Sequence, residues 1–226
     1  MHPRKLFSFL VLLSMLTIPF ASVAPARAAD SVALVDQSNY FQYGAVSIWF
    51  AGTLFGQSFT PTLPVLDVVE LLTEDFNWGN GYGIELFVNI RKTTIDGPIL
   101  GTSNIVQLPD KFSGNTRFTF PAVVSLTPGE LYVIEVVPAS GQDVYKTNWG
   151  IRYGGNWMGS PYPGGSAIFK GIESPIIDLW FWEGLASKSP QTSASCKKGL
   201  WAYLSRADGS SFVNQGDCIQ YVNKGE

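Results

Sequence analysis

Aromatic rings gathered in glycine- and asparagine-rich stretches are the side chains of this sequence best suited to holding a ligand. Trp149, Tyr153, Trp157 and Tyr162 fall within 148–165, and Trp78 and Tyr82 fall within 77–83. Sugar rings present C–H faces that stack on aromatic planes, and their hydroxyls need paired donors and acceptors. Arg152 and Asn156 supply such groups beside the first cluster. Trp157 is the best-placed ring, because Gly154, Gly155 and Gly159 leave its faces open. The same rings can instead plug the ends of a sandwich or cover its open face. Trp180 and Trp182, two apart on one strand face, read as core.

Carboxylates offer a second chemistry. A glycosidase needs two of them flanking the scissile bond, one protonated and one ionised. Glu85 and Glu135 are strand residues that can face a groove, but no closely spaced pair marks a single strand. Both read more simply as solvated charges. Asp36, Asp67 and Asp178, together with Asp75, are possible oxygen ligands for a structural calcium ion. No Asp-x-Asp-x-Asp-Gly loop supports them, and no other cofactor is expected. Phosphate chemistry lacks a Gly-x-x-x-x-Gly-Lys loop, and Gly79–Gly83 does not lead into a helix pattern.

The sole histidine is His2, at the extreme N-terminus. Residues 1–28 read as a secretory signal peptide: Arg4 and Lys5, an apolar run from Leu6 to Phe20, then Ala26-Arg27-Ala28 as the small-x-small cleavage pattern. The run is shorter than the roughly 20 residues that span a bilayer. The mature chain would then begin at Ala29 and hold no histidine. Ser-His-Asp and Cys-His catalysis fall away with it, as do the imidazole sites of zinc and copper. A non-enzyme is expected. Losing Arg4, Lys5 and Arg27 takes the formal charge from −3 to about −6. That opposes binding to nucleic acid or an anionic membrane. No second apolar stretch reaches spanning length, so stable membrane insertion is not expected.

Short segments between turn residues must position these groups. Hydrophobic residues make up 46% and charged residues 15%, so a core can form over most of the length. Gly83–Lys92 is the clearest strand, with Ile84, Leu86, Val88 and Ile90 on one face. Further strands are expected at 45–50, 56–60, 65–73, 116–126, 131–137, 149–153, 167–170 and 178–183. Gly56–Thr60 leads into Pro61 and Pro64, which suits a sheet edge or a strand end. The stretch Leu126-Thr127-Pro128-Gly129-Glu130 reads as a tight turn. No amphipathic helix of twelve residues is evident. The expectation is an all-β chain: an antiparallel two-sheet sandwich, jelly-roll-like, over 29–185.

After Gly184 the composition changes. Residues 186–195 form a polar, small-residue linker. The segment 196–226 carries both cysteines, Cys196 and Cys218. Two cysteines in a secreted chain allow one pairing, and a loop of that length gains about 3 kcal/mol in the chain-entropy model. The alternative is a pair of free thiols.

Several of these runs carry a resemblance. Gly56-Gln57-Ser58-Phe59-Thr60, Leu66–Leu71, Gly97-Pro98-Ile99-Leu100-Gly101 and Leu126-Thr127-Pro128-Gly129 before Tyr132-Val133-Ile134 resemble secreted bacterial β-sandwich domains of unassigned function. Such domains occur in exported proteins with varied surface anchors. Cys196-Lys197-Lys198-Gly199, Trp201 and Phe212-Val213-Asn214-Gln215-Gly216-Asp217-Cys218 are similar to a short C-terminal module of secreted bacterial proteins. Leu200 stands where that module has a second glycine. Neither resemblance implies an activity.

The function expected from the sequence is an extracellular, non-catalytic binding or surface-associated role. An extracellular polysaccharide or a cell-surface component is the partner that fits the rings. A structural module of an envelope, matrix or adhesive layer is the first alternative. A jelly-roll glycoside hydrolase or lyase is the second.

Overall fold

A computed structural model describes residues 33–48, 54–155 and 161–224. The leader, Asn156 and Trp157 lie outside the described residues. The chain shuttles between two antiparallel sheets. β1 (Leu34–Asn39) and β2 (Gly44–Ser47) belong to the first sheet, and β3 (Gly56–Phe59) opens the second. β4 (Val65–Asp75) returns to the first; β5 (Ile84–Lys92), β6 (Ile99–Thr102) and β7 (Val106–Leu108) join the second. β8 (Ser113–Ser125) lies in the first and β9 (Tyr132–Pro138) in the second. A short helix, α1 (Val144–Thr147), precedes β10 (Trp149–Gly155) of the first sheet. β11 (Ala167–Phe169) and β12 (Ile172–Ser174) complete the second sheet, and β13 (Ile177–Leu179) and β14 (Phe181–Leu185) the first. The protein is thus an all-β, two-sheet sandwich.

Alternation drives the layering. Ile84, Leu86, Val88 and Ile90 of β5 are all buried, as their period of two requires. They meet Leu66, Val69 and Leu71 of β4, Phe118 of β8 and Ile134 of β9 in one core between the sheets. Truncating such a leucine to alanine costs about 2–5 kcal/mol. β3 is an interior strand between β11 and β9, and its ladder ends before Pro61. The proline therefore marks a strand end, not an edge. Gly56 is required there, because a Cβ would sit 2.1 Å from the Ile134 carbonyl oxygen.

The first sheet forks at β4. Val68–Leu71 pair with β14, and Thr73–Asp75 pair with β10. β10 then leaves β4 and pairs with β13 from Tyr153 onward. Trp180 stands at the break between β13 and β14, with its N–H donating to the Arg152 carbonyl at 2.9 Å. Trp180 and Trp182 lie outside the cluster between the sheets, although Trp182 is itself buried. Trp180 is half-buried against Tyr40, and Trp182 is covered by the Arg117 guanidinium, 5.4 Å above its ring.

Of the buried acids Glu70, Asp75, Glu135, Asp178 and Glu183, the last stands apart in its lack of donors. Glu183 is fully buried, and neither of its oxygens has a donor at normal hydrogen-bond distance. Burial pushes its carboxyl well above the usual range, and the neighbouring Asp36 charge adds to this. Asp36 accepts from the Thr62 and Leu63 N–H groups at 2.8 and 2.9 Å, and from the Thr62 hydroxyl. Two facing carboxyls are hydrogen-bond partners only when one is protonated. The donors crowd onto Asp36, so the neutral form is favoured at Glu183. Nearby, the buried Tyr162 hydroxyl is pushed up to about 12, chiefly by burial.

The C-terminal segment does not stand apart. Cys196 and Cys218 form a disulfide with Cα atoms 5.7 Å apart. Around it lie Leu200, Leu204 and Phe212, joined by Val65 of β4 and Leu185 of β14. Ala186 N–H donates to Asp67 at 2.7 Å, and Lys198 Nζ donates to Ser125 Oγ at 2.8 Å. A ten-residue helix, α2 (Gln215–Lys224), follows, where no helix was expected from the sequence. Asn214 caps it by accepting from Asp217 N–H at 2.9 Å, while Asp217 accepts from Val213 N–H at 2.9 Å. Among the described residues, no helix is long and apolar enough to cross a membrane.

Two measurements follow from this architecture. Replacing Cys196 and Cys218 by serine should cost about 3 kcal/mol and open 196–224 to protease. The sandwich should stay folded, because its main core contains no residue of that segment. Loss of the β-sheet amide I band in the variant would show the two parts to be one folding unit. The second concerns Glu183. Its raised pKa contributes stability that is fully present below the ordinary glutamate value and is lost as pH rises toward the folded one. Glu183→Gln should therefore gain on the parent as pH rises above the ordinary glutamate range, from about pH 4 upward. Parallel urea midpoints across that range would refute a proton on Glu183.

Candidate functional site

Only part of the aromatic set is available to a ligand. Trp149 is fully buried, its ring 6.3 Å from Phe112, because β10 points residues 149 and 151 inward. Tyr162 is also core: its hydroxyl donates to Gln37 Oε1 at 3.0 Å, and its ring meets Phe181 edge-on. Tyr153 is partly buried against the same core. These three do not form a binding face. Arg152 points outward and pairs with Glu74. Among the described residues of that set, Trp78 and Tyr82 are the open rings, 64% and 42% exposed.

Trp78 and Tyr82 lie on the β4–β5 loop at one end of the sandwich, and that loop is held from several sides. Asp75, buried at the end of β4, accepts from Asn77 N–H at 2.8 Å and from Lys111 N–H at 2.9 Å. Its two oxygens thereby tie the β4–β5 loop to the β7–β8 loop. Gly79 and Gly81 take positive φ of 84° and 79°, which turns both N–H groups toward Asp110. They donate to its carboxylate at 2.9 and 3.3 Å. Desolvation opposes ionisation of Asp110, yet these amide donors hold its carboxyl below the usual range.

The far side of the loop rests on α1. Asp143 caps that helix, accepting from Lys146 N–H at 3.1 Å. Asn80 Nδ2 donates to the Lys146 carbonyl at 3.1 Å, and Lys146 Nζ sits 4.2 Å from the Tyr82 ring centroid. That cation–π contact fixes the ring without covering both faces. Phe76 begins the loop and Tyr145 projects from α1; both are exposed. The result is a preorganised platform of rings bordered by Asn77, Asn80, Lys111 and Lys146. Beside it an open depression of about 470 Å³ is lined by Gly83, Glu85, Gln107, Pro109 and Gln142. A second depression of about 360 Å³ lies under the 186–195 linker, with Asp67 in its wall.

The carboxylates named from sequence are spread out and engaged. Glu135 receives Arg91 Nε at 2.7 Å and Asn89 Nδ2 at 2.8 Å. Glu85 accepts from Gln107 at 2.7 Å. Asn89 is opposite Glu135 in the β5–β9 ladder, four residues from Glu85, so the two acids are about 13 Å apart along the strand. Both glycosidase geometries need a closer pair. For calcium, Asp178 accepts from Gln57 Nε2 and Tyr162 N–H, both at 2.9 Å, while Asp36 and Asp67 serve the donors described above. Among the described residues, no three His, Cys, Asp or Glu side chains gather as metal ligands. Asp36, Asp67 and Asp178 do not form one site.

Compared with known proteins, the chain matches no family model and no curated protein sequence.

Asp75 is the test of preorganisation. Asp75→Ala should lower stability by about 1–3 kcal/mol, the cost of stranding its donors. Hydrogen exchange should quicken at the Asn77 and Lys111 amides before it does in β5. Unchanged exchange there would mean that the loop is held by other contacts.

Proposed function

We propose that this is a secreted, non-catalytic β-sandwich that binds extracellular carbohydrate through the Trp78–Tyr82 loop. The observation that carries the reading is the pair of open rings on a loop whose backbone is tied down at Asn77, Gly79, Gly81 and Tyr82. Exposed rings cost little to order when the backbone beneath them is already fixed. Sugar C–H faces would stack on Trp78 and Tyr82. Asn77, Asn80 and Lys146 would meet the hydroxyls. The leader pattern and the Cys196–Cys218 bridge support export to an oxidising compartment. The strongly negative mature chain supports a neutral partner over an anionic one.

A structural role in an envelope or matrix layer is the second reading. The edge strands of the second sheet support it: Ile99 and Leu100 of β6 and Ile172 of β12 are exposed. Apolar edge residues favour lateral association. Concentration-dependent assembly in sedimentation, without glycan, would favour this reading.

Binding is tested by Trp78→Ala in the mature chain. The variant should keep its stability within about 0.5 kcal/mol, as exposed positions do. It should lose at least about tenfold in affinity for the best array glycan, in line with a buried aromatic anchor. A folded variant that binds as well as the parent removes the loop from the site.

A further inference from the structure

The outward residues of β10 are Gly150, Arg152 and Gly154, an unusual face for a strand. Its inward residues are Trp149, Ile151 and Tyr153, so the strand is bulky on one side and nearly bare on the other. The two glycines are not vacancies. A Cβ on Gly150 would lie 2.3 Å from the end of the Phe76 ring. A Cβ on Gly154 would lie 2.3 Å from the Phe41 carbonyl oxygen and 2.5 Å from its ring. Chain segments from two different loops are thus laid onto the bare strand, one at each glycine. Yet Phe76 and Phe41 remain 38% and 48% exposed. Between them Arg152 is held by Glu74. Beside Phe41, Tyr40 packs on Trp180 at 5.4 Å.

We propose that this row, Phe76–Arg152–Phe41–Tyr40, is an extended subsite that carries a linear neutral polysaccharide along the outer face of β10. The proposal rests on the carbohydrate reading of the Trp78–Tyr82 loop, because Phe76 opens that loop and joins the two surfaces. Gly150 and Gly154 are about 13 Å apart along the strand, the reach of an oligosaccharide and not of a single sugar. An apolar ring, a donor–acceptor pair and a second ring match the alternating C–H faces and hydroxyls of such a chain. The charges also match: Arg152 and Glu74 are neutral as a pair, which offers a polyanion nothing and leaves hydroxyl partners in place.

The test is calorimetry with linear cello-, xylo-, manno- and chito-oligosaccharides, from disaccharide to hexasaccharide, on the full mature chain. In the parent, affinity should rise at least about tenfold with length. Phe41→Ala and Arg152→Ala should abolish that rise while leaving disaccharide binding intact, and Phe41→Trp should keep it. Urea midpoints establish that each variant is folded. Length-independent affinity in the parent, or a rise that survives both alanine variants, overturns the track but leaves the loop site standing. Loss of all binding in Trp78→Ala supports the loop reading on which the track depends. Absence of binding to any of these series overturns both. A dimer that Phe41→Ala dissociates would identify the row as a self-interface and overturn the track.

Discussion

The pairing of β4 sets the position of almost everything else in the first sheet. It meets β8 along one side, and β14 and then β10 along the other. Its inward residues Leu66, Val69, Leu71 and Thr73 are fully buried, so slipping its register by one would bring polar groups into the core. Each end of the strand carries an aspartate that does a different job. Asp67, at the β4 bulge, receives the chain as it leaves β14. Asp75, at the far end, fixes the loop that shows Trp78 and Tyr82 to solvent. Its outward Glu70 and Glu74 orient Arg117 and Arg152. One strand therefore positions the C-terminal appendage, the aromatic platform and the charged groups of the outer face.

Much of this was legible where the signal is local. The period of two in β5 placed its core residues correctly, and the bounds of β3, β9 and β10 fall within a residue or two of the turn signals. The last strand ends at Leu185, where the composition changes. The aromatic set was harder. Trp149 and Trp78 sit in similar Gly/Asn-rich surroundings, yet one is sealed by Phe112 and the other stands open. What separates them is that β10 is drawn into the sheet by pairing with β4, a contact about 75 residues distant along the chain, which turns Trp149 inward. Local sequence does not encode that difference. The C-terminal helix was different: Asn214 and Asp217 mark a helix N-terminus, but their run reads equally well as a module signature.

Glu183 shows how an irregularity in a pattern can be informative. Phe181 and Leu185 flank it at the spacing of one strand face, so alternation alone places its carboxyl among apolar side chains. A charged group there would be costly, and the fold answers by setting it against Asp36 of β1. β1 bulges between Val35 and Gln37, at the very residue that supplies the partner. The register shift and the buried acid thus meet at one place, where burial and the neighbouring Asp36 both disfavour a charge on Glu183.

The bare face of β10 poses the opposite problem. Glycine in a strand interior is disfavoured by roughly 0.5–1 kcal/mol relative to alanine. Gly150 and Gly154 both meet that cost, and alanine at either position would collide with Phe76 or Phe41. Burial of part of two phenylalanines against the strand offsets it, since a fully buried ring contributes about 1.5–3 kcal/mol. A core-facing purpose does not explain the arrangement, because both glycines point away from the core. Nor does simple closure of the sheet, because the rings stay well exposed after docking. What the arrangement achieves is rigidity: aromatic surface from two loops is held at fixed separation, on either side of an oriented guanidinium, without being hidden from solvent. The proposed track for a repetitive, hydroxylated and uncharged chain would use surface of that kind.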